Sequence, residues 1–140
     1  MTESIDQSVL IKDIMTSSVI SVRLNQTVYN VLKLAKEKNV TGFPVIDINS
    51  KVIGVVSTLD LITDAAIGKL DLKLEELPSA IKVEKNVIKL SPDTPVKEAL
   101  MSLIKKRVGR IIITDNDNKL CGIVSRKDLI NFFIDMNKLG

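Results

Sequence analysis

An internal repeat is the feature that most constrains the fold of this chain. Shifted by 68 residues, the sequence aligns with itself without a gap. Between the pairs Val19/Val87 and Ile62/Ile130, 14 of 44 aligned positions are identical. Such a repeat is typical of two copies of one folding unit. We therefore expect any site formed between the copies to occur as a pair with approximate twofold symmetry.

Each copy has the pattern strand, helix, strand, strand, helix. In copy two, residues 87–90 predict a short strand, and Thr94 with Pro95 marks the start of a helix. The apolar residues that follow recur at helical spacing and predict one buried face, formed by Val96, Ala99, Leu100, Leu103 and Ile104. After Thr27, copy one has the equivalent face, formed by Val28, Val31, Leu32 and Ala35.

Two apolar runs joined by a polar turn predict a β-hairpin in each copy, over 43–56 and 111–124. The runs are apolar almost throughout, so we expect both faces of their strands to be covered, one by the copy's own helices and the other by the partner copy's sheet. The last helix should bury Leu61, Ile62, Ala65 and Ala66 in copy one, and Leu129, Phe132, Phe133 and Met136 in copy two. The connector, 69–80, fits either a helical turn or an edge strand.

The composition indicates a compact globular protein. Its 140 residues are 45% hydrophobic and 26% charged, without a secretory signal or an apolar run long enough to span a membrane. A single cysteine, Cys121, cannot form an internal disulfide, which favours a reducing, cytoplasmic location. We interpret it as a small core residue in a strand. The net charge of +3 suits a phosphate-bearing ligand but decides nothing alone.

The sharpest local signal is the segment Gly-apolar-apolar-Ser-x-x-Asp, which occurs at Gly54–Asp60 and again at Gly122–Asp128. It leads from a buried strand into a helix start, where backbone N–H groups favour an anion. The serine could meet phosphate, and the carboxylate could accept from two ribose hydroxyls. A capping box, in which Ser and Asp satisfy each other's backbone amides, is the structural alternative. The motif alone leaves both open.

Several other functions are disfavoured. The chain has no histidine, which excludes His-based acid–base catalysis and the common zinc sites. Asp115-Asn116-Asp117-Asn118 begins like a calcium loop, but Lys119 and Arg126 stand at ligand positions, so we interpret it as a hairpin turn. There is no activated nucleophile or phosphate-binding loop, and the four aromatic residues leave little for stacking on nucleic acid. We expect neither an enzyme, nor a metal site, nor a nucleic-acid-binding protein.

Together, the repeat and the motif resemble a tandem pair of cystathionine-β-synthase (CBS) domains, a Bateman module, over about Val9 to Met136. The sequences Asp-Ile-Met-Thr at 13–16, Gly-Phe-Pro-Val-Ile-Asp at 42–47 and Leu-Ser-Pro-Asp-Thr-Pro-Val at 90–96 add to the resemblance. It implies an α+β fold of two β-α-β-β-α repeats whose small mixed sheets pack face to face, with the helices outside and pseudo-twofold symmetry. The expected boundaries are 9–68 and 81–136 for the repeats, with 69–80 as the connector.

The resemblance also implies two clefts between the repeats that hold an adenosine-containing regulatory ligand. AMP, ADP, ATP and S-adenosylmethionine are the candidates, and no further cofactor is required. Asp60 and Asp128 would accept from ribose hydroxyls, and Ser57 and Ser125 would meet phosphate. Groups of the opposite copy would hold adenine, namely Thr16, Ile20, Val40, Thr41 and Gly42 in the Asp128 cleft and Ile88, Val108 and Gly109 in the Asp60 cleft.

The two predicted clefts are not equivalent. Arg110 and Arg126 could reach phosphates in the Asp128 cleft, whereas copy one has Gly42 and Thr58 at the aligned positions. We therefore expect the Asp128 cleft to bind a phosphorylated ligand more tightly. The predicted function is a regulatory module that forms a homodimer through its final helices and acts on an unknown protein. The alternative is a nucleotide-independent adaptor that binds a protein or nucleic acid.

Overall fold

The structure, a computed structural model, describes residues 8–77, 87–106 and 109–139. Within these ranges it is an α+β protein, as predicted. The elements, in chain order, are a 3-10 helix (Ile11–Asp13), α1 (Val28–Lys38), β1 (Gly42–Ile46), β2 (Val52–Ser57), α2 (Thr58–Ala66), a second 3-10 helix (Leu74–Glu76), β3 (Ile88–Leu90), α3 (Val96–Lys106), β4 (Arg110–Thr114), β5 (Leu120–Ser125) and α4 (Arg126–Leu139).

The chain divides by its contacts into two compact units. One contains residues 20–85, and the other contains residues 1–19 together with 86–140. The first unit therefore carries copy one and the connector, and the second carries copy two and the N-terminal segment. This division differs from the predicted repeat boundaries because the N-terminal segment lies with copy two rather than with copy one.

In the copy-one unit, β1 and β2 form an antiparallel hairpin that packs against α1 and α2. The core includes Val28 and Val31 of α1 together with Leu74 and Leu77 of the connector, all at most 2% exposed. The connector therefore contributes two large side chains to this core. It forms an isolated bridge to Thr27 and a 3-10 helix, so each of the two open alternatives describes part of it. Residues 78–80 lie outside the described ranges.

In the copy-two unit, β3, β4 and β5 form a mixed sheet, with β3 parallel to β4 and β4 antiparallel to β5. The core of this unit includes Ile11 from the N-terminal segment, which is 0% exposed, beside residues of β4, β5 and α3. Backbone bonds hold the segment in place: the Ile11 amide donates to the Thr94 carbonyl at 2.8 Å, and the Val96 amide donates to the Val9 carbonyl at 2.9 Å.

The prediction of a first strand is confirmed in copy two and wrong in copy one. There, only Val22 forms an isolated parallel bridge with Val45, although Val22 exchanges backbone bonds with Pro44 and Ile46. Pro44 aligns with Ile112 of copy two and has no N–H to donate, so the ladder cannot continue past this point.

Both faces of the inner strands are buried, as predicted from their continuous apolar character. In β4, Ile111, Ile112 and Ile113 are each 0% exposed although successive side chains point to opposite faces. The hairpin turns also follow the prediction. The Asp47 carboxylate accepts from the amides of Asn49 and Lys51, and the Asp115 carboxylate accepts from the amides of Asp117 and Lys119, at 2.8–3.0 Å.

Three of the predicted buried positions on helices are instead exposed. Ile62 is 54% exposed and Ala66 is also exposed, whereas Asp64 is buried in their place, with one carboxylate oxygen, Oδ2, lacking a hydrogen-bond partner. In copy two, Ile104 at the end of α3 is 71% exposed. The helical period was predicted correctly, but α2 and α3 bury narrower faces than the number of apolar residues implied.

Cys121 lies in β5 and packs at the edge of the copy-two core, as predicted for a small strand residue. Burial, and after it the negative charge of Asp115, raises the pKa of its thiol. The protonated thiol is therefore favoured at neutral pH, which makes Cys121 a poor nucleophile.

Candidate functional site

The copy-two motif forms a hydrogen-bonded cluster where β5 ends and α4 begins. Asp128 lies in the first turn of α4, and its Oδ2 accepts from the backbone amide of Ser125 at 2.9 Å and from the Ser125 hydroxyl at 3.1 Å. The amide bond is one half of the predicted capping box. The hydroxyl of Ser125, which we expected to meet phosphate, therefore donates to Asp128 in this structure.

The other oxygen of Asp128 is bound by the N-terminal segment. The hydroxyl of Thr16 donates to Asp128 Oδ1 at 3.0 Å. Two backbone bonds fix Thr16 beside β5, because its amide donates to the Ile123 carbonyl at 2.9 Å and its carbonyl accepts from the Ile123 amide at 3.0 Å. This side chain, predicted to line the adenine site, is thus attached to the carboxylate predicted to bind ribose.

The glycine of the copy-two motif makes room for this segment. A Cβ built on Gly122 would lie 2.6 Å from Met15 Sδ and 3.0 Å from the Thr16 carbonyl oxygen. Real Cβ atoms do not approach other atoms this closely, so Met15 and Thr16 can dock on β5 only if residue 122 has no side chain. A capping box leaves this glycine unexplained, whereas the close approach of the segment explains it.

Two arginines lie beside the same helix start. Arg110 pairs with Ser125 across the β4–β5 ladder, and Arg126 is the first residue of α4. Burial, followed by the positive charge of Arg126, lowers the pKa of Arg110 from its ordinary value. The effect of Arg126 shows that the two guanidinium groups are close enough to repel each other. This end of the copy-two unit is therefore positive and suited to an anion.

The copy-one motif is built differently. Ser57 caps α2 by accepting from the Leu59 amide at 3.2 Å, and Thr58 donates its amide and its hydroxyl to the Thr41 carbonyl, each at 3.0 Å. Asp60 is partly buried in the first turn of α2, and within the described ranges its carboxylate accepts no hydrogen bond. Unlike the Asp128 carboxylate, it is therefore not engaged by neighbouring side chains.

The predicted site residues fall into two groups, one in each unit. The copy-two unit contains Thr16, Ile88, Gly109, Arg110, Ser125, Arg126 and Asp128, and the copy-one unit contains Ile20, Val40, Thr41, Gly42, Ser57, Thr58 and Asp60. Val108 lies outside the described residues. Within the units, the β-ladders place Arg110 opposite Ser125 and Gly42 opposite Ser57. The assignment of each residue to a ligand stays a prediction.

Sequence reasoning missed the roles of Met15 and Gly122. Both lay in segments that the sequence had marked, the Asp-Ile-Met-Thr stretch and the recurrent glycine three residues before serine. Their contact could not be inferred because it joins positions more than 100 residues apart in the chain. The signal available was only that a capping box gives no reason for a glycine at this position.

Comparison with known proteins identifies the family. The model of the CBS domain matches this chain twice, at residues 11–66 and 79–135. The chain belongs to the CBS domain family. These two matches cover both copies of the repeat and most of the sequence.

The curated relatives that match are mostly longer than this CBS domain pair. An uncharacterized protein of Methanocaldococcus jannaschii is 32% identical over 88% of this chain, but the match spans 39% of that relative. A second one from the same organism is 30% identical over 91% of the chain, spanning 45% of its length. An inosine-5′-monophosphate dehydrogenase of Nitrosopumilus maritimus is 26% identical over 84% of the chain, spanning 23% of the enzyme.

Solved structures of CBS domain proteins match the fold. CBSX2 in complex with AMP is 28% identical, with a TM-score of 0.76, over 92% of this chain and 98% of that one. The CBS domain pair of protein MJ0100, in complex with 5′-methylthioadenosine and S-adenosylmethionine, is 23% identical, with a TM-score of 0.76, over 91% and 97%. An acetoin utilization protein of Vibrio cholerae has a TM-score of 0.82 at 21% identity, over 94% of each chain.

A search for membrane-spanning helices gave none: no helix in the described ranges combines the length and the apolar character needed to cross a bilayer.

We predict that Gly122→Ala will lower the free energy of unfolding by about 1–3 kcal/mol, because the added methyl group overlaps Met15 and the backbone of Thr16. Gly109→Ala is the matched control, since a Cβ there meets nothing within 4 Å, and it should change stability by less than about 0.5 kcal/mol. Urea unfolding measures both. Equal stabilities of the two variants would contradict the docking of the segment against Gly122.

Proposed function

We propose that this CBS domain pair is a regulatory module that binds an adenosine-containing ligand, namely AMP, ADP, ATP or S-adenosylmethionine, and controls a protein partner. Asp128 and Asp60 hold the ribose of a ligand in one site each. The cluster of Asp128, Ser125 and the two arginines at the start of α4 is the observation that carries the proposal. It joins an acceptor for sugar hydroxyls to a positively charged helix start.

The charge of the copy-two site supports a phosphorylated ligand. Arg110 and Arg126 repel each other, and a phosphate bound between or beside them would replace this repulsion by two charge-assisted hydrogen-bonding partners. Arginine also matches the geometry of phosphate oxygens better than lysine does. The CBS structures in complex with AMP and with S-adenosylmethionine and 5′-methylthioadenosine support the adenosine part of the ligand.

One observation favours the second candidate, a nucleotide-independent adaptor. Asp128 is hydrogen-bonded within its own unit by Thr16 and Ser125, and Gly122 is explained by the docking of Met15. On this alternative the copy-two motif serves only to attach the N-terminal segment. The adaptor would then recognise its partner through surface residues, with no ligand bound.

A thermal-shift measurement separates these two functions. With AMP, ADP, ATP or S-adenosylmethionine at a hundredfold its dissociation constant, a specific ligand adds about 2.7 kcal/mol to the free energy of unfolding. We expect the melting temperature to rise with at least one of these four ligands. Unchanged melting with all four, at millimolar concentration, would support the adaptor instead.

We predict that Asp128→Ala weakens binding of a phosphorylated ligand more than Asp60→Ala does, because Arg110 and Arg126 have Gly42 and Thr58 as their counterparts in copy one. The loss of the bonds that a carboxylate accepts corresponds to about 10- to 150-fold in affinity at the tighter site. Calorimetry with ATP measures both variants. Asp71→Ala, which removes an exposed carboxylate from the connector, is the control and should bind like the unmodified protein. Equal losses from the two site variants would contradict the asymmetry.

We also propose that the protein forms a homodimer through α2 and α4. Each of these helices carries exposed apolar residues, and Ile62 and Ile130, at aligned positions of the repeat, are 54% and 61% exposed. Phe133 and Ile134 extend the apolar surface of α4, at 38% and 53% exposed. Apolar clusters of this kind on helix surfaces are typical of association sites.

The prediction is a sedimentation mass of about twice 15.4 kDa, which Ile62→Lys combined with Ile130→Lys reduces to the mass of one chain. The added charges would have to be buried without partners at the interface, which is unfavourable. Ile104→Lys changes an isoleucine of α3 that is 71% exposed and should leave the dimer intact. A mass near 15.4 kDa for the unmodified chain at micromolar concentration would refute the dimer.

A further inference from the structure

The hydrogen bonds of Asp128 limit what this carboxylate can still accept. A carboxylate has about four lone-pair positions, two on each oxygen. The Ser125 amide and the Ser125 hydroxyl both donate to Oδ2, and the Thr16 hydroxyl donates to Oδ1. Three of these positions are therefore occupied, and one position, on Oδ1, is left.

A ribose presents two neighbouring hydroxyls, and both can donate to an open carboxylate. At Asp128 the second donor would have to displace Thr16, whose backbone is fixed to Ile123 by two hydrogen bonds. Residues 15 and 16 also lie against the surface of Gly122, so the segment cannot withdraw without losing that contact. The hydroxyl of Thr16 is thus held beside Oδ1 by the backbone rather than by side-chain chance.

We infer that Thr16 is a specificity-determining residue of the Asp128 site, because its hydroxyl takes the place of one ribose hydroxyl on the carboxylate. This inference rests on the proposed binding of an adenosine ligand. With Thr16 in place, Asp128 recognises one of the two ribose hydroxyls and tolerates loss of the other. The site therefore accepts a deoxyribose, or a ribose substituted on one hydroxyl, that a fully open carboxylate would discriminate against.

The test uses the full chain carrying Asp60→Ala, so that the Asp128 site is the one measured, and calorimetry with AMP, 2′-deoxy-AMP and 3′-deoxy-AMP. With Thr16 present, one of the deoxy analogues should bind within about twofold of AMP, and the other should bind more weakly. Thr16→Val removes the hydroxyl at nearly constant shape and opens Oδ1. It should strengthen AMP binding about two- to tenfold and make both deoxy analogues weaker than AMP.

Two controls separate specificity from structure. Thr16→Ser keeps the hydroxyl and should restore tolerance of one deoxy analogue, and Ser17→Ala alters an exposed neighbour in the same segment and should leave the three affinities in their original ratio. A general loosening of the segment would weaken all three ligands together and leave their ratio unchanged, which would overturn the inference.

Equal weakening of both deoxy analogues while Thr16 is present would also overturn it, because Asp128 would then accept both hydroxyls beside Thr16. A different result marks failure of the proposed function: no binding of AMP, ADP, ATP or S-adenosylmethionine to the unmodified protein. The role assigned to Thr16 would fall with it.

Discussion

Each copy of the repeat depends on a segment that lies outside it. A two- or three-stranded sheet with two helices has little interior of its own. In the copy-two unit Ile11 fills the core from the N-terminal segment, and in the copy-one unit Leu74 does so from the connector. Both segments form a 3-10 helix and offer a carbonyl to the first amide of the adjacent long helix, Val9 to α3 and Leu72 to α1. The two segments are 63 residues apart, whereas the copies are 68 apart.

This attachment gives the copy-two motif two roles in one place. Gly122 lets the N-terminal segment approach β5, and Asp128 binds its last side chain, Thr16. A carboxylate that only capped a helix would leave Oδ1 to solvent, and one that only bound a ligand would leave Thr16 without this acceptor. Because segment docking and the proposed ribose recognition use the same two oxygens, changes at one affect the other. In copy one, Asp60 is not engaged in this way within the described ranges.

The elements that could be predicted from the sequence are those determined by local pattern. The repeat, the hairpins closed by Asp47 and Asp115, and the buried face of α1 follow from periodicity and turn chemistry. The docked segments could not be found, because their 63-residue spacing is lost in an ungapped alignment at 68 and few of their residues are identical. The missing strand of copy one follows from Pro44, whose effect depends on which neighbour it faces. Burial of Asp64 in place of Ile62 depends on tertiary packing that helical periodicity does not specify.

The arrangement of charge in the copy-two unit was only half visible in the sequence. The residue types at 110 and 126 are evident, but their proximity follows from the register of β4 and β5, which sets Arg110 opposite Ser125 and hence next to Arg126. Two like charges held beside a helix start, itself positive, cost stability through repulsion and, for Arg110, through desolvation. A purely structural role would be served better by one arginine or by none, as at Gly42 and Thr58 in copy one. An anionic group bound there would offset both costs at once, which gives the two arginines a common reason.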